Sequence, residues 1–178
     1  MQIPESSFRK ALRFAQIATA VLVLAGCASD ESAKQKPVNI GARLQPIGGA
    51  SGHGLVTFKP YDGGLTVVAD VGGFSGGPYR LVIHTTPVCT SPNGFSAGPP
   101  FLLPGSGAPV AVPLTISSDQ GTATLTVRAP GIALTGPNGI EGKSLVLHAS
   151  ESGPLDAQPG VPNNRVACGA IGPIPTLF

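Results

Sequence analysis

Three histidines and three cysteines carry most of the chemistry this chain could do, and their spacing is uneven. His84 closes the apolar run Leu81-Val82-Ile83, with Cys89 five residues on. His148 closes Ser144-Leu145-Val146-Leu147, and Arg165-Val166-Ala167-Cys168-Gly169 follows. A histidine at the end of an apolar strand has two uses. It is a buried side chain satisfied by hydrogen bonds, or a ligand, since neutral imidazole suits copper and haem iron. His53, in Ser51-Gly52-His53-Gly54, sits in a glycine-rich turn and reads as surface. Cys27 is different in kind, because it follows Leu24-Ala25-Gly26 at the end of an apolar segment.

That segment, Phe14 to Gly26, is preceded by Arg9, Lys10 and Arg13 and is too short to span a bilayer comfortably. It reads as an export signal over residues 1–26, and the small residues before Cys27 are the pattern at which bacterial lipoprotein signals are cut and the cysteine lipidated. Ala28 rather than aspartate after the cysteine points to the periplasmic face of the outer membrane. Residues 27–37, with Asp30-Glu31-Ser32-Ala33-Lys34-Gln35-Lys36, read as a polar tether. The formal net charge of +2 belongs to the leader. The remainder is neutral, which gives no reason to invoke nucleic acid. Once Cys27 carries lipid, Cys89 and Cys168 form an even pair in an oxidising compartment, and a disulfide is expected.

From residue 38 to 178 the sequence reads as one all-β domain. Gly and Pro interrupt short Val-, Leu-, Ile- and Thr-rich segments, and no helical period runs long enough to compete. Expected strands are Asn39–Leu44, Leu55–Lys59, Leu65–Val71, Tyr79–His84, Leu114–Ser117, Thr122–Val127, Ile132–Leu134, Ser144–Ala149 and Arg165–Ile171. Asp62-Gly63-Gly64 supplies the positive φ of a tight hairpin, and Ser118-Asp119-Gln120-Gly121 reads as a second. Alternation puts Tyr79, Leu81 and Ile83 on one face, and Arg80, Val82 and His84 on the face opposite the core. Thr90 to Pro113 holds six prolines, at 92, 99, 100, 104, 109 and 113, and reads as a long loop without a charged side chain. Glu151 to Asn164 reads as another loop.

These residues resemble the Cu/Zn superoxide dismutases, whose pattern is a His-x-His strand, a loop histidine in Ala-Gly-x-His-Phe, a later x-His-Ala strand and a closing Arg-x-Ala-Cys-Gly. The resemblance covers roughly Asn39 to Pro173. It implies an eight-stranded Greek-key β-barrel of the dismutase type, with His84 and His148 on neighbouring strands near one pocket as candidate copper ligands. Arg165 matches the arginine that attracts the superoxide anion, and it could equally hold the Cys89 loop through backbone carbonyls. The pattern then departs at the metal site. The His-x-His positions read Val82-Ile83-His84, and the loop histidine reads Pro100 in Ala97-Gly98-Pro99-Pro100-Phe101. Two of four copper ligands remain, and nothing between Pro100 and Ser118 could serve zinc. The expected cofactor is none or a single copper ion, with zinc not expected.

Three readings follow. The favoured one is a non-dismutase module binding copper, haem or a protein, with a protein partner or a homodimer as its company. The second is a dismutase with an atypical copper site, and the third a structural envelope protein. For the anchor, Cys27→Ser should leave an unprocessed or misplaced precursor in membrane fractionation. Wild-type protein that is soluble without detergent, with no change in the variant, would remove the lipoprotein reading.

Overall fold

The computed structural model describes residues 39–150 and 164–175. The signal, Cys27, the tether and most of the 151–164 loop therefore lie outside the described residues.

Nine strands run in order: β1 Asn39–Pro46, β2 His53–Tyr61, β3 Gly64–Gly72, β4 Gly77–His84, β5 Ala111–Ile116, β6 Thr122–Pro130, β7 Ser144–Ala149, β8 Arg165–Ala170 and β9 Gly172–Ile174. Every ladder between them is antiparallel, in the order β5-β4-β7-β8-β1-β2-β3-β6, with β9 added to β1. This is the nearly closed eight-strand barrel expected. β1 joins its two halves, pairing with β2 along Ile40–Leu44 and with β8 at Gln45 and Pro46. The β2–β3 hairpin turns at Asp62-Gly63, where Gly63 takes φ 92°, a conformation only glycine adopts freely.

The pleat decides what is buried. Leu65, Val67, Ala69 and Val71 of β3 point inward, as do Leu81 and Ile83 of β4 and Leu145 and Leu147 of β7, forming one core. On the outside of β4, β7 and β8 a second, smaller apolar cluster forms from Ala97, Val146 and Cys168, with Ile47 and Cys89 against it. The loop after β4 creates it by folding back over the sheet. Its backbone is bonded down at Thr85 N to Pro99 O (3.0 Å), Thr86 N to Ala97 O (3.1 Å) and Phe101 N to Ile83 O (2.7 Å).

Three expectations need correction. Ile132–Leu134 is not a strand. The turn after it closes at once, with Ala133 N on Asn138 O and Ile140 N on Ala133 O, so Ile132 and Ile140 plug the barrel instead. The expected final strand breaks at Ile171, which turns into the core and donates to Lys143 O, leaving β9 to pair with β1. Ser118–Gly121 is a tight turn without a hairpin ladder behind it. β5 pairs with β4 and β6 with β3, so the two diverge along the barrel seam around an apolar cleft of about 310 Å³. As an edge strand, β5 tolerates Pro113, which has no N–H to donate.

Cys89 and Cys168 are joined, with Cα atoms 5.6 Å apart and a separation of 79 positions in sequence. Closing a loop of that length stabilises the fold by roughly 4–5 kcal/mol on the chain-entropy account. Cys89→Ser with Cys168→Ser should lower Tm by about 10–20 °C. A calorimetric Tm within a degree or two of wild type would show that the clip contributes little.

Candidate metal centre

The outward-facing residues of β4 and β7 are Arg80, Val82 and His84 on one strand and Ser144, Val146 and His148 on the other. Register sets His84 opposite Ser144, Val82 opposite Val146 and Arg80 opposite His148. The expectation that His84 faces away from the core is met in direction only. Both histidines are fully buried (0 % exposed), because the loop carrying Ala97 and Gly98 covers that face. The two ring planes are 10° from parallel with centroids 5.3 Å apart, and the rings meet at their Nε2 atoms, 3.1 Å from each other. A register shift between Leu147 and His148 places the second ring.

Each ring is held from behind. His84 Nδ1 lies 2.8 Å from Gly98 O, and His148 Nδ1 lies 2.9 Å from Asn164 Oδ1. Gly98 adopts φ 75°, and a Cβ there would meet Thr85 Oγ1 at 2.7 Å, so this carbonyl reaches His84 only from a glycine. Such a partner fixes which ring nitrogen carries the proton and which keeps its lone pair. Burial pushes the His148 pKa down to about 4. The Asn164 bond opposes this, and His84, Arg165 and Arg80 add to the lowering. Ser144 Oγ, on the same face, is buried without a hydrogen-bond partner.

Arg165 is buried beside this pair. Its Nη1 donates to Gly94 O at 2.8 Å, and its guanidinium lies 5.1 Å from the Phe95 ring centroid. Gly94 takes φ 73°, and a Cβ there would strike Ile47 Cδ1 at 2.6 Å. Pro100 forms an isolated antiparallel bridge with His84, and it is buried. His53 is exposed, at the far end of β2. Among the described residues no group of three or more His, Cys, Asp or Glu side chains could hold a metal. Asn164, Gly98 and Ser144 were not legible as site residues. Only Asn164 carried a hint, standing next to the arginine of the closing Arg-x-Ala-Cys-Gly run.

The copper/zinc superoxide dismutase pattern matches residues 52–171, more than half of the chain. The chain belongs to the copper/zinc superoxide dismutase family. It is 33% identical over 126 residues to "Superoxide dismutase [Cu-Zn] 2" of Brassica juncea, covering 62% of this chain and 82% of that one. It is 27% identical over 138 residues to "Superoxide dismutase [Cu-Zn]" of Deinococcus radiodurans, covering 66% and 76%. The described residues do not fit the two-metal centre the family name implies, since among them only two imidazoles converge and no group of three or more His, Cys, Asp or Glu side chains could hold a metal.

The His148 environment makes a pH prediction. Its folded pKa is depressed, so as pH falls below about 6.5 the unfolded chain takes up a proton the folded chain refuses. Stability should fall from pH 6.5 to about 4 by an amount on the order of 3 kcal/mol, and level off below. Urea titrations of chelator-treated protein should show this slope, and His148→Gln should reduce it. An unchanged slope in the variant would assign it elsewhere.

Proposed function

We propose that this chain is an exported, lipid-anchored member of the dismutase family whose domain binds rather than dismutes. Its remaining site is the His84–His148 pair, which takes a single Cu(I). The observation that carries the reading is the pair itself. Two buried Nε2 atoms face each other, each Nδ1 is held by a fixed partner, and among the described residues no third histidine, cysteine or carboxylate joins them. Two imidazoles satisfy a soft monovalent ion in a near-linear arrangement, whereas Cu(II) wants about four nitrogen or oxygen donors in a tetragonal array. A Cu(I) ion would be held by His84 Nε2 and His148 Nε2, which now stand 3.1 Å apart.

Dismutation requires one site to hold both copper states with little rearrangement. Val82 leaves a hydrocarbon beside the pair. Pro100 fixes the loop backbone through its ring while the Phe101 N–H is tied to Ile83 O, so no neighbour swings in as a substitute. Arg165 is engaged by the loop at Gly94 and Phe95, which supports a role in holding that loop. Lipid on Cys27 would place the domain at the periplasmic face of the outer membrane, where a copper-holding module meets exported copper.

Purified protein should contain no zinc, bind Cu(II) weakly, and show no dismutase activity above that of free copper. Cu(I) affinity, read by competition with a chromophoric chelator, should drop at least tenfold in His84→Ala or His148→Ala. Val82→His with Pro100→His should raise Cu(II) affinity. Stoichiometric copper with dismutase turnover that survives a chelator wash would return the protein to the enzymes.

A further inference from the structure

The antiparallel ladders start β1, β3, β5 and β7 at one end of the barrel, so Asn39, the β2–β3 turn, Pro130 and the loop before β5 share that end. From Leu102 to Pro113 there is no charged side chain. Leu102 is 53% exposed, the most of any large hydrophobic among the described residues. Beside it opens the seam cleft of about 310 Å³, walled by Leu103, Val110, Val112, Val127, Ala129 and Ile132. The loop tip stands clear of the barrel, since a Cβ at Gly105 or Gly107 would meet nothing within 4 Å.

An apolar loop enters a lipid interface only if its backbone does not need water. This loop meets that condition by itself. Leu103 N donates to Ala108 O (2.8 Å), Ser106 N and Gly107 N both donate to Leu103 O (3.2 and 2.9 Å), and Ala108 N donates to Ser106 Oγ (3.2 Å). Pro104 and Pro109 have no N–H to satisfy. Cations border the patch. Arg128 is the one charged side chain lining the cleft, its guanidinium 5.0 Å from the Tyr61 ring centroid, and Lys143 Nζ lies 4.4 Å from the centroid of the Phe101 ring, next to Leu102 in sequence. Asp62 and Glu141 also belong to this end, and neither lines the cleft. An exposed apolar patch with a cationic border fits a protein or a membrane surface. The course of the chain favours the membrane. Twelve residues, 27 to 38, precede β1 and reach at most about 40 Å when fully extended. They join the barrel at this end, whereas the Ser118–Gly121 end lies a nine-residue strand away, about 30 Å further.

We propose that the loop before β5 and the seam cleft form the surface on which the domain rests against a phospholipid bilayer, with Leu102 and the 103–108 tip in the interface and Arg128 and Lys143 at the lipid phosphates. This rests on the lipid-anchored reading above and adds to it which end of the barrel meets the lipid.

The test uses the full chain as cells process it, reconstituted in vesicles of phosphatidylethanolamine and phosphatidylglycerol. An environment-sensitive fluorophore is placed on Ala108→Cys or, at the opposite end, on Gln120→Cys, both exposed positions. Cys89 and Cys168 are bonded to each other, and lipid on Cys27 leaves the introduced thiol as the one that reacts. The probe at 108 should be quenched by spin-labelled lipid and shielded from aqueous iodide, and the probe at 120 should behave in the opposite way. Leu102→Asp should abolish the lipid quenching at 108. Anchored protein whose two probes are equally open to iodide would overturn the resting surface and leave the anchor standing. Labelling of Cys27 in the chain with neither substitution would remove the anchor, and this proposal with it. A probe at 108 shielded from iodide and spin-labelled lipid alike, with cross-linking between chains, would give the face to a second copy and overturn the proposal as well.

Discussion

The covering of the outer face of β4, β7 and β8 by the loop after His84 is the constraint on which the rest depends. Sheet alternation alone would send Val82, His84, Val146 and His148 into water. The Cys89–Cys168 bond ties the loop to β8, and the Arg165 side chain reaches from β8 to Gly94 of the same loop. Together they turn a solvent-facing surface into a second interior. Arg165 serves this by chemistry as well as reach, since a planar guanidinium can donate to a carbonyl while lying on a ring, as it does at Gly94 and Phe95. A lysine could supply the charge but not both contacts.

Burying the face changes what its histidines are. An exposed imidazole titrates near neutrality and exchanges partners with water. Enclosed beneath Ala97 and Gly98, His148 has its pKa pushed down by burial, each Nδ1 is held by one partner, Gly98 O or the Asn164 side chain, and the two Nε2 atoms meet each other. The burial that pushes the His148 pKa down also makes any unpaired ring nitrogen costly. Hydrogen-bond orientation is therefore a matter of the whole network rather than of each ring.

Much of the barrel was legible because its strands obey a two-residue period. Leu65 to Val71 and Tyr79 to His84 alternate as expected, and their inward residues are those the core contains. What period alone does not reveal is the cover on the second face, because that cover is irregular backbone, rich in proline, and acts at a distance in sequence. Hence the direction of His84 could be read and its burial could not. The failures at Ile132–Leu134 and Ser118–Gly121 share a cause. Each segment has good local strand or turn chemistry, and the partner it meets in the fold is settled elsewhere, by the turn at Asn138 and by the ladders to β3 and β4. Asn164 was illegible for a further reason: a lone amide sixteen residues from His148 becomes a site residue only through the β7–β8 register shift.

The same sheet offers its own comparison for why a polar pair sits here at all. Immediately beside the histidines, Val82 and Val146 face each other across the β4–β7 ladder and are both fully buried. Two valines thus already show that this face can be sealed with hydrocarbon, at less risk than an imidazole pair that must find a partner for every nitrogen. Sealing the face does not require the histidines. Their arrangement fits a requirement that valine cannot meet: two nitrogens presented to each other, each backed by a group that fixes its proton, in a pocket that the loop keeps dry. Such a pair can accept one proton or one soft cation between its rings. Because burial, with His84, Arg165 and Arg80 beside it, pushes the His148 pKa down to about 4, that ring stays uncharged near neutral pH and keeps the lone pair of one nitrogen.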